Sequence, residues 1–135
     1  MDKKFVPLIS RILLGHIFLI AGIEKVFNID GTQAYMASKG MPFTLLFLLA
    51  AIAFEAGGGL SLILGYKARW GALALVLFLI PTTLIFHTNF AEPMQQAMFM
   101  KNLAIMGGLL MIASYGPGKL SLDGRKGHPT KTQPA

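Results

Sequence analysis

The sequence predicts an all-α integral membrane protein, a four-helix bundle with both termini in the cytoplasm, on three observations. Four apolar stretches, at residues 5–27, 43–64, 68–86 and 97–115, each come close to the ~20 residues that cross a hydrocarbon core. Charged residues make up 13% of the 135-residue chain and hydrophobic ones 54%, whereas a soluble domain carries about 25% charged residues to cover its surface. The third observation is where the basic residues fall. With the N-terminus inside, Lys3, Lys4, Arg11, Lys67, Arg69, Lys119, Arg125, Lys126 and Lys131 lie on or near the cytoplasmic side, nine of twelve. Lys25, Lys39 and Lys101 lie on or near the other, and the positive-inside bias selects this orientation.

The first span carries Arg11, His16, Glu24 and Lys25. Arg11 and His16 break the apolar run of a signal peptide and no small-residue cleavage site follows, so the segment is read as a retained helix. Arg11, Gly15, Phe18, Gly22 and Lys25 follow a 4-3-4-3 spacing and share one face. The two glycines permit close approach of a second helix, and the two cations sit where each can snorkel to its own interface. His16 and Glu24 fall on the other side. At mid-span His16 is expected to be neutral and hydrogen-bonded across to another helix.

A 28–42 loop leads to the second span, where Glu55 stands near the bilayer midplane between Ala51 and Gly58-Gly59. A lone carboxylate there costs several kcal/mol. Glu55 is therefore expected to point into the bundle and to be protonated, paired with a cation or facing a hydrated cavity, with His16 at similar depth and Arg11 a little over one turn further in. Glu55, His16 and Lys101 are the candidates for catalytic roles. Gly65-Tyr66-Lys67 forms a tight turn into the third span, in which Pro81 is expected to produce a kink.

Toward the outer side, three of the four helices deliver polar groups to one depth: Glu24 and Lys25, then Thr83, His87 and Asn89, then Lys101 and Asn102. Gln95 and Gln96 lie in the adjoining 87–96 loop. Interfacial capping, with Glu24 as the acidic partner of Lys101, accounts for these residues without any site. The alternative is an outward-opening polar pocket made by Glu24, Lys25, His87, Lys101 and Asn102. Residues 116–135, rich in Gly, Pro, Lys and Thr, are read as a flexible basic cytoplasmic tail.

Several chemistries find no support in the chain. Without cysteine there is no disulfide, thiolate metal site or CxxC relay, and no metal centre is expected. The GxGxxG fingerprint of flavin and nicotinamide sites is absent. The net charge of +6 follows membrane topology, so no nucleic-acid partner is expected. Neither an inverted repeat nor a pair of broken helices points to a transporter.

The pattern Arg11-x3-Gly15-x2-Phe18-x3-Gly22-x2-Lys25 with Phe27, Glu55 and Gly65, His87-Thr88-Asn89-Phe90, Gln95, Phe99-x-Lys101-Asn102-Leu103-Ala104-x2-Gly107-Gly108-Leu109-Leu110, and Gly116-Pro117-Gly118-Lys119-Leu120-Ser121-Leu122-Asp123 together resemble the DoxX family over about residues 8 to 123. The resemblance implies a four-helix bacterial inner-membrane protein. It also implies an oxidoreductase label, since family members accompany quinone-linked sulfur oxidation or detoxification of oxidants and quinone-like compounds. It carries no catalytic residue set with it.

Two functions follow. In the first, the chain is a subunit or accessory of a membrane redox system and binds a quinone or similar lipophile. The bilayer surrounds it, and a partner redox protein or a second copy stands beside it. Glu55 with His16, or Lys101 with His87 and Asn102, would hold the ligand oxygens. In the second, it is a non-enzymatic assembly or recruitment subunit that docks through glycine-lined faces.

Overall fold

The computed structural model describes residues 3–125. Four helices span the length needed to cross a membrane: α1 (Phe5–Val26), α3 (Thr44–Leu64), α4 (Ala68–Phe86) and α5 (Pro93–Tyr115). Two short helices accompany them, α2 (Ile29–Ser38) and α6 (Leu122–Arg125). The described residues contain no strand. Side-chain exposure runs opposite to that of a soluble protein. Leu13 is 62% exposed and Leu77 67%, while Arg11 is 1% exposed, a distribution that only an apolar solvent stabilises.

The helices adjoin in the order α1, α3, α4, α5, and the α1–α5 side is the least extensively packed. Contact between α1 and α3 is backbone to backbone. A Cβ on Gly15 would lie 2.8 Å from the Gly59 carbonyl oxygen, and one on Gly22 would lie 2.8 Å from the Ala56 nitrogen. Between α3 and α4, a Cβ on Gly58 would sit 2.6 Å from Leu75 Cγ. Leu62, Leu75, Leu79, Leu109 and Ile112 fill the space among α3, α4 and α5. In lipid there is little hydrophobic drive between helices, so such close approach is what associates them. Gly22→Leu is expected to cost about 3 kcal/mol or more and to abolish recovery of folded protein from membranes. Gly107, with open space around its Cβ position, should accept leucine without loss; size-exclusion profiles in detergent compare the two.

Three segments run differently from the sequence reading. The 28–42 segment contains α2, which buries Met36 and ends before Gly40 in a left-handed conformation (φ 81°). The fourth span begins at Pro93, four residues earlier than expected. Proline needs no N–H partner at a helix start, and the Glu92 carbonyl accepts from the Gln95 and Gln96 N–H groups. Both glutamines therefore lie on the first turn of α5. The third departure is the start of the tail. Residues 116–125 are docked where the sequence suggested a flexible segment, and residues 126–135, with Lys126 and Lys131, lie outside the described residues.

Arg11 explains the docking. Instead of snorkelling it is buried, its Nη1 donating to the carbonyls of Leu62 (3.0 Å) and Ile63 (3.1 Å) and its Nη2 to that of Leu120. The guanidinium thus satisfies the last carbonyls of α3, where a cation is also favoured by the helix dipole, and ties residue 120 to them. Asp123 does the converse for α4: its carboxylate accepts the N–H groups of Lys67 (2.8 Å) and Ala68 (3.0 Å), while its own N–H donates to the Gly65 carbonyl at 2.9 Å. Gly65 is left-handed (φ 67°), and a Cβ there would meet Arg11 and Ser121. The two described chain ends and the 65–67 turn share this pole of the bundle.

Candidate functional site

At the opposite pole, α2 crosses over a cavity of about 1080 Å³ bounded by all four long helices. Its position follows from the helix contacts: α3 is pulled against α1 and α4 in its Gly58–Leu64 half, whereas Thr44–Ile52 packs on α1 and α2. Between those halves the backbone is π-helical over Ala53–Gly57. A π-turn accommodates an extra residue within a helix and re-aims the side chains around it. Glu55 sits in this turn, buried, and lines the cavity.

The partner of Glu55 is Lys25. The Nζ lies 2.8 Å from Glu55 Oε1, with side-chain exposures of 26% for the lysine and 6% for the glutamate. Lys25 therefore turns into the bundle rather than snorkelling to its interface. The expected pairing of Glu55 with His16 or Arg11 does not form. Arg11 is held by carbonyls at the far pole, and His16 lies exposed on the outer face of α1 with Nδ1 2.6 Å from the Leu13 carbonyl. Residues at similar depth need not share an azimuth, and the helical wheel had already put His16 off the Arg11–Lys25 stripe.

The outward polar group is brought together as one lining. Glu24, Lys25, His87, Lys101 and Asn102 all border the same cavity as Glu55, so the buried carboxylate and the polar cluster share one lining. Asn102 is buried and donates through Nδ2 to Thr83 Oγ1 at 3.0 Å, locking α5 to α4. His87 Nδ1 lies 2.9 Å from Gln95 Oε1; with that oxygen as acceptor, Nδ1 carries the proton and Nε2 is left as an acceptor. Glu24 and Lys101, expected as a pair, form no ion pair among the described residues.

Aromatic walls complete the site. Phe54 stacks on Phe78 (centroids 5.8 Å apart) and Tyr35 on Phe86 (5.3 Å). Neither stack was anticipated from the sequence. Tyr35 was hidden because its helix was read as loop, and Phe54 and Phe78 look like any apolar span residue. The sequence signal for α2 was present: Asn28 before an uninterrupted ten-residue segment, then Gly40 and Pro42 as stop signals.

An apolar, aromatic enclosure with a few convergent polar groups is the general form of a small-molecule site. Here a ligand carbonyl or hydroxyl could accept a hydrogen bond from Lys25 or Lys101, and a ligand hydroxyl could donate to Glu55 or His87, while its ring lies between phenyl faces.

Comparison with known proteins agrees with this architecture. The chain is 44% identical over 116 residues to Inner membrane protein YqjF of Escherichia coli (strain K12), covering 86% of this chain and 88% of that protein. It is 36% identical over 123 residues to Inner membrane protein YphA of the same organism, covering 87% and 88%. The Surfeit locus protein 4 homolog of Drosophila melanogaster is 36% identical over 131 residues, but these amount to only 42% of that longer protein. No solved structure matches the chain. The SURF4 family model matches residues 52–128. The DoxX model matches residues 6–88, the part that carries the Arg11–Lys25 stripe, Glu55 and His87, and with two relatives matched along most of their length the chain belongs to the DoxX family.

Proposed function

We propose that the protein is a multi-pass inner-membrane subunit or accessory of a redox system and that its cavity binds a quinone or similar small lipophilic compound. The observation that carries this reading is the Lys25–Glu55 pair, its carboxylate buried, in the lining of an aromatic cavity of about 1080 Å³. A charge pair held 2.8 Å apart in an apolar enclosure is costly to build, and it offers both a donor and an acceptor to ligand oxygens. Lys101, Asn102 and His87 supply further groups at the rim. Electrons would pass between the ligand and a partner chain. With the cytoplasmic termini that the basic residues indicate, the cavity lies in the outer half of the membrane.

Mass spectrometry of lipophiles extracted from protein purified in mild detergent tests this, with a Glu55→Gln/Lys101→Ala variant beside it. A stoichiometric quinone in the wild type that is absent from the variant is the expected result. A reproducible partner protein with no small molecule would instead favour the assembly-subunit role.

A further inference from the structure

Part of the cavity wall is built from side chains that are themselves exposed on α3 and α4. Along the antiparallel α3–α4 pair, Gly58 meets Leu75 and Gly71 meets Ser61 closely, but Thr44–Ile52 shows no comparable packing on α4. The two helices part beyond the π-turn. In the gap the cavity is lined by residues that also face outward: Ala50 on α3, and Leu77, Pro81 and Ile85 on α4 are all exposed. The two aromatic stacks frame the opening, Phe54–Phe78 at its deep edge and Tyr35–Phe86 under α2. Eight residues of helix separate Phe78 from Phe86, so the frame is about 12 Å tall. Its interior edge is continuous with the Lys25–Glu55 pair, since both line one cavity.

We propose that this gap is a side window: a membrane-dissolved ligand with a hydrocarbon tail passes from the bilayer through it to the Lys25–Glu55 pair, and the tail stays seated between Ala50 and Ile85. The inference rests on the cavity being a lipophile site and narrows its ligand to a ring-and-tail amphiphile. Three features carry it. An apolar slot open to lipid accepts a chain without exposing it to water. The cavity volume lies at the upper limit for small-molecule sites, more than a ring alone requires. Pro81 has no N–H for the Leu77 carbonyl, so α4 lacks one rung along the window's edge.

The test uses full-length protein in lipid nanodiscs and a ubiquinone ring bearing a decyl tail with a terminal diazirine. After irradiation, labelled residues are mapped by peptide mass spectrometry, with untagged decylubiquinone as competitor. Saturable label concentrated at residues 44–54 and 77–86 is expected. Ala50→Trp and Ile85→Trp, each on an exposed position and each checked for unchanged thermal unfolding, should lower it about tenfold. Label spread over lipid-facing positions such as Leu13 and Met111, or insensitivity to both tryptophans, overturns the window. If quinone is nevertheless extracted stoichiometrically from the wild type, the lipophile site stands without it. No extracted quinone together with no saturable label overturns both.

Discussion

Arg11→Met is expected to produce the largest loss of stability of any conservative-volume substitution at the pole where the chain ends meet. Methionine restores most of the side-chain volume, so the effect isolates the guanidinium. Removing it takes the guanidinium from the carbonyls of Leu62, Ile63 and Leu120, of which Leu62 keeps the Gly65 N–H. Hydrogen bonds to a charged group contribute about 1.5–3 kcal/mol each, and an orphaned buried acceptor carries its own desolvation cost. A net loss of about 3–5 kcal/mol follows, after relaxation of the terminal segment. Arg11→Lys should recover less than half, since an ammonium cannot present two parallel edges to acceptors on separate segments. Unfolding in mixed micelles measures the loss. Limited proteolysis supplies a second readout: cleavage within residues 116–125 should appear in Arg11→Met well below its unfolding midpoint, because Leu120 is one of the three acceptors. Equal stability of wild type and Arg11→Met would mean that the segment is held by Asp123 and the 65–67 turn alone.

The spans were legible because apolar length is a direct consequence of bilayer thickness, and their observed limits differ from the expected ones by at most one residue in three of the four. The Arg11–Gly15–Phe18–Gly22 stripe was legible for a similar reason: helical periodicity sorts faces whatever the tertiary structure does, and all four residues are buried. What periodicity cannot supply is azimuth between helices. Glu55 was expected to face the bundle and does, yet its partner followed from how α3 rotates against α1 through the π-turn, and no local pattern announces a π-turn. Lys25 at a helix end looked like an interfacial anchor, and its reach inward appears only in its 2.8 Å contact with Glu55 of α3. The docked 116–125 segment was misread on composition. Gly116 and Gly118 do mark flexible backbone in isolation, but their positive φ angles are here the bends that bring Ser121 back against Gly65 and Asp123 onto the start of α4. Arg11 was the missing clue: a buried cation at a helix C-terminus needs more acceptors than that terminus offers, and the chain beyond residue 116 provides one.

Lys25→Met should behave unlike Glu55→Met, and the difference between them is the sharpest statement about the candidate site. The pair is asymmetric: Glu55 is nearly fully enclosed and Lys25 keeps a quarter of its side chain open to the cavity. Deleting the lysine strands a buried carboxylate, and breaking a buried pair from one side costs about 3–5 kcal/mol. Deleting the glutamate leaves an ammonium on a long flexible stem that can turn into the cavity, so a cost of about 1–2 kcal/mol is expected. The double variant Lys25→Met/Glu55→Met replaces both charges by apolar volume and should return to within about 1 kcal/mol of the wild type, or exceed it. A double-mutant cycle on detergent unfolding midpoints gives the coupling directly. Additive single effects, with no recovery in the double, would show that the 2.8 Å contact contributes nothing to holding α1 against α3. The double variant then separates fold from function. A protein as stable as the wild type that has lost its extracted lipophile would place the role of this pair in binding, because an ion pair that an apolar pair can replace without structural loss has no structural reason to be there. Retention of the lipophile by the same variant would move the ligand contacts to Lys101, Asn102 and His87 at the rim.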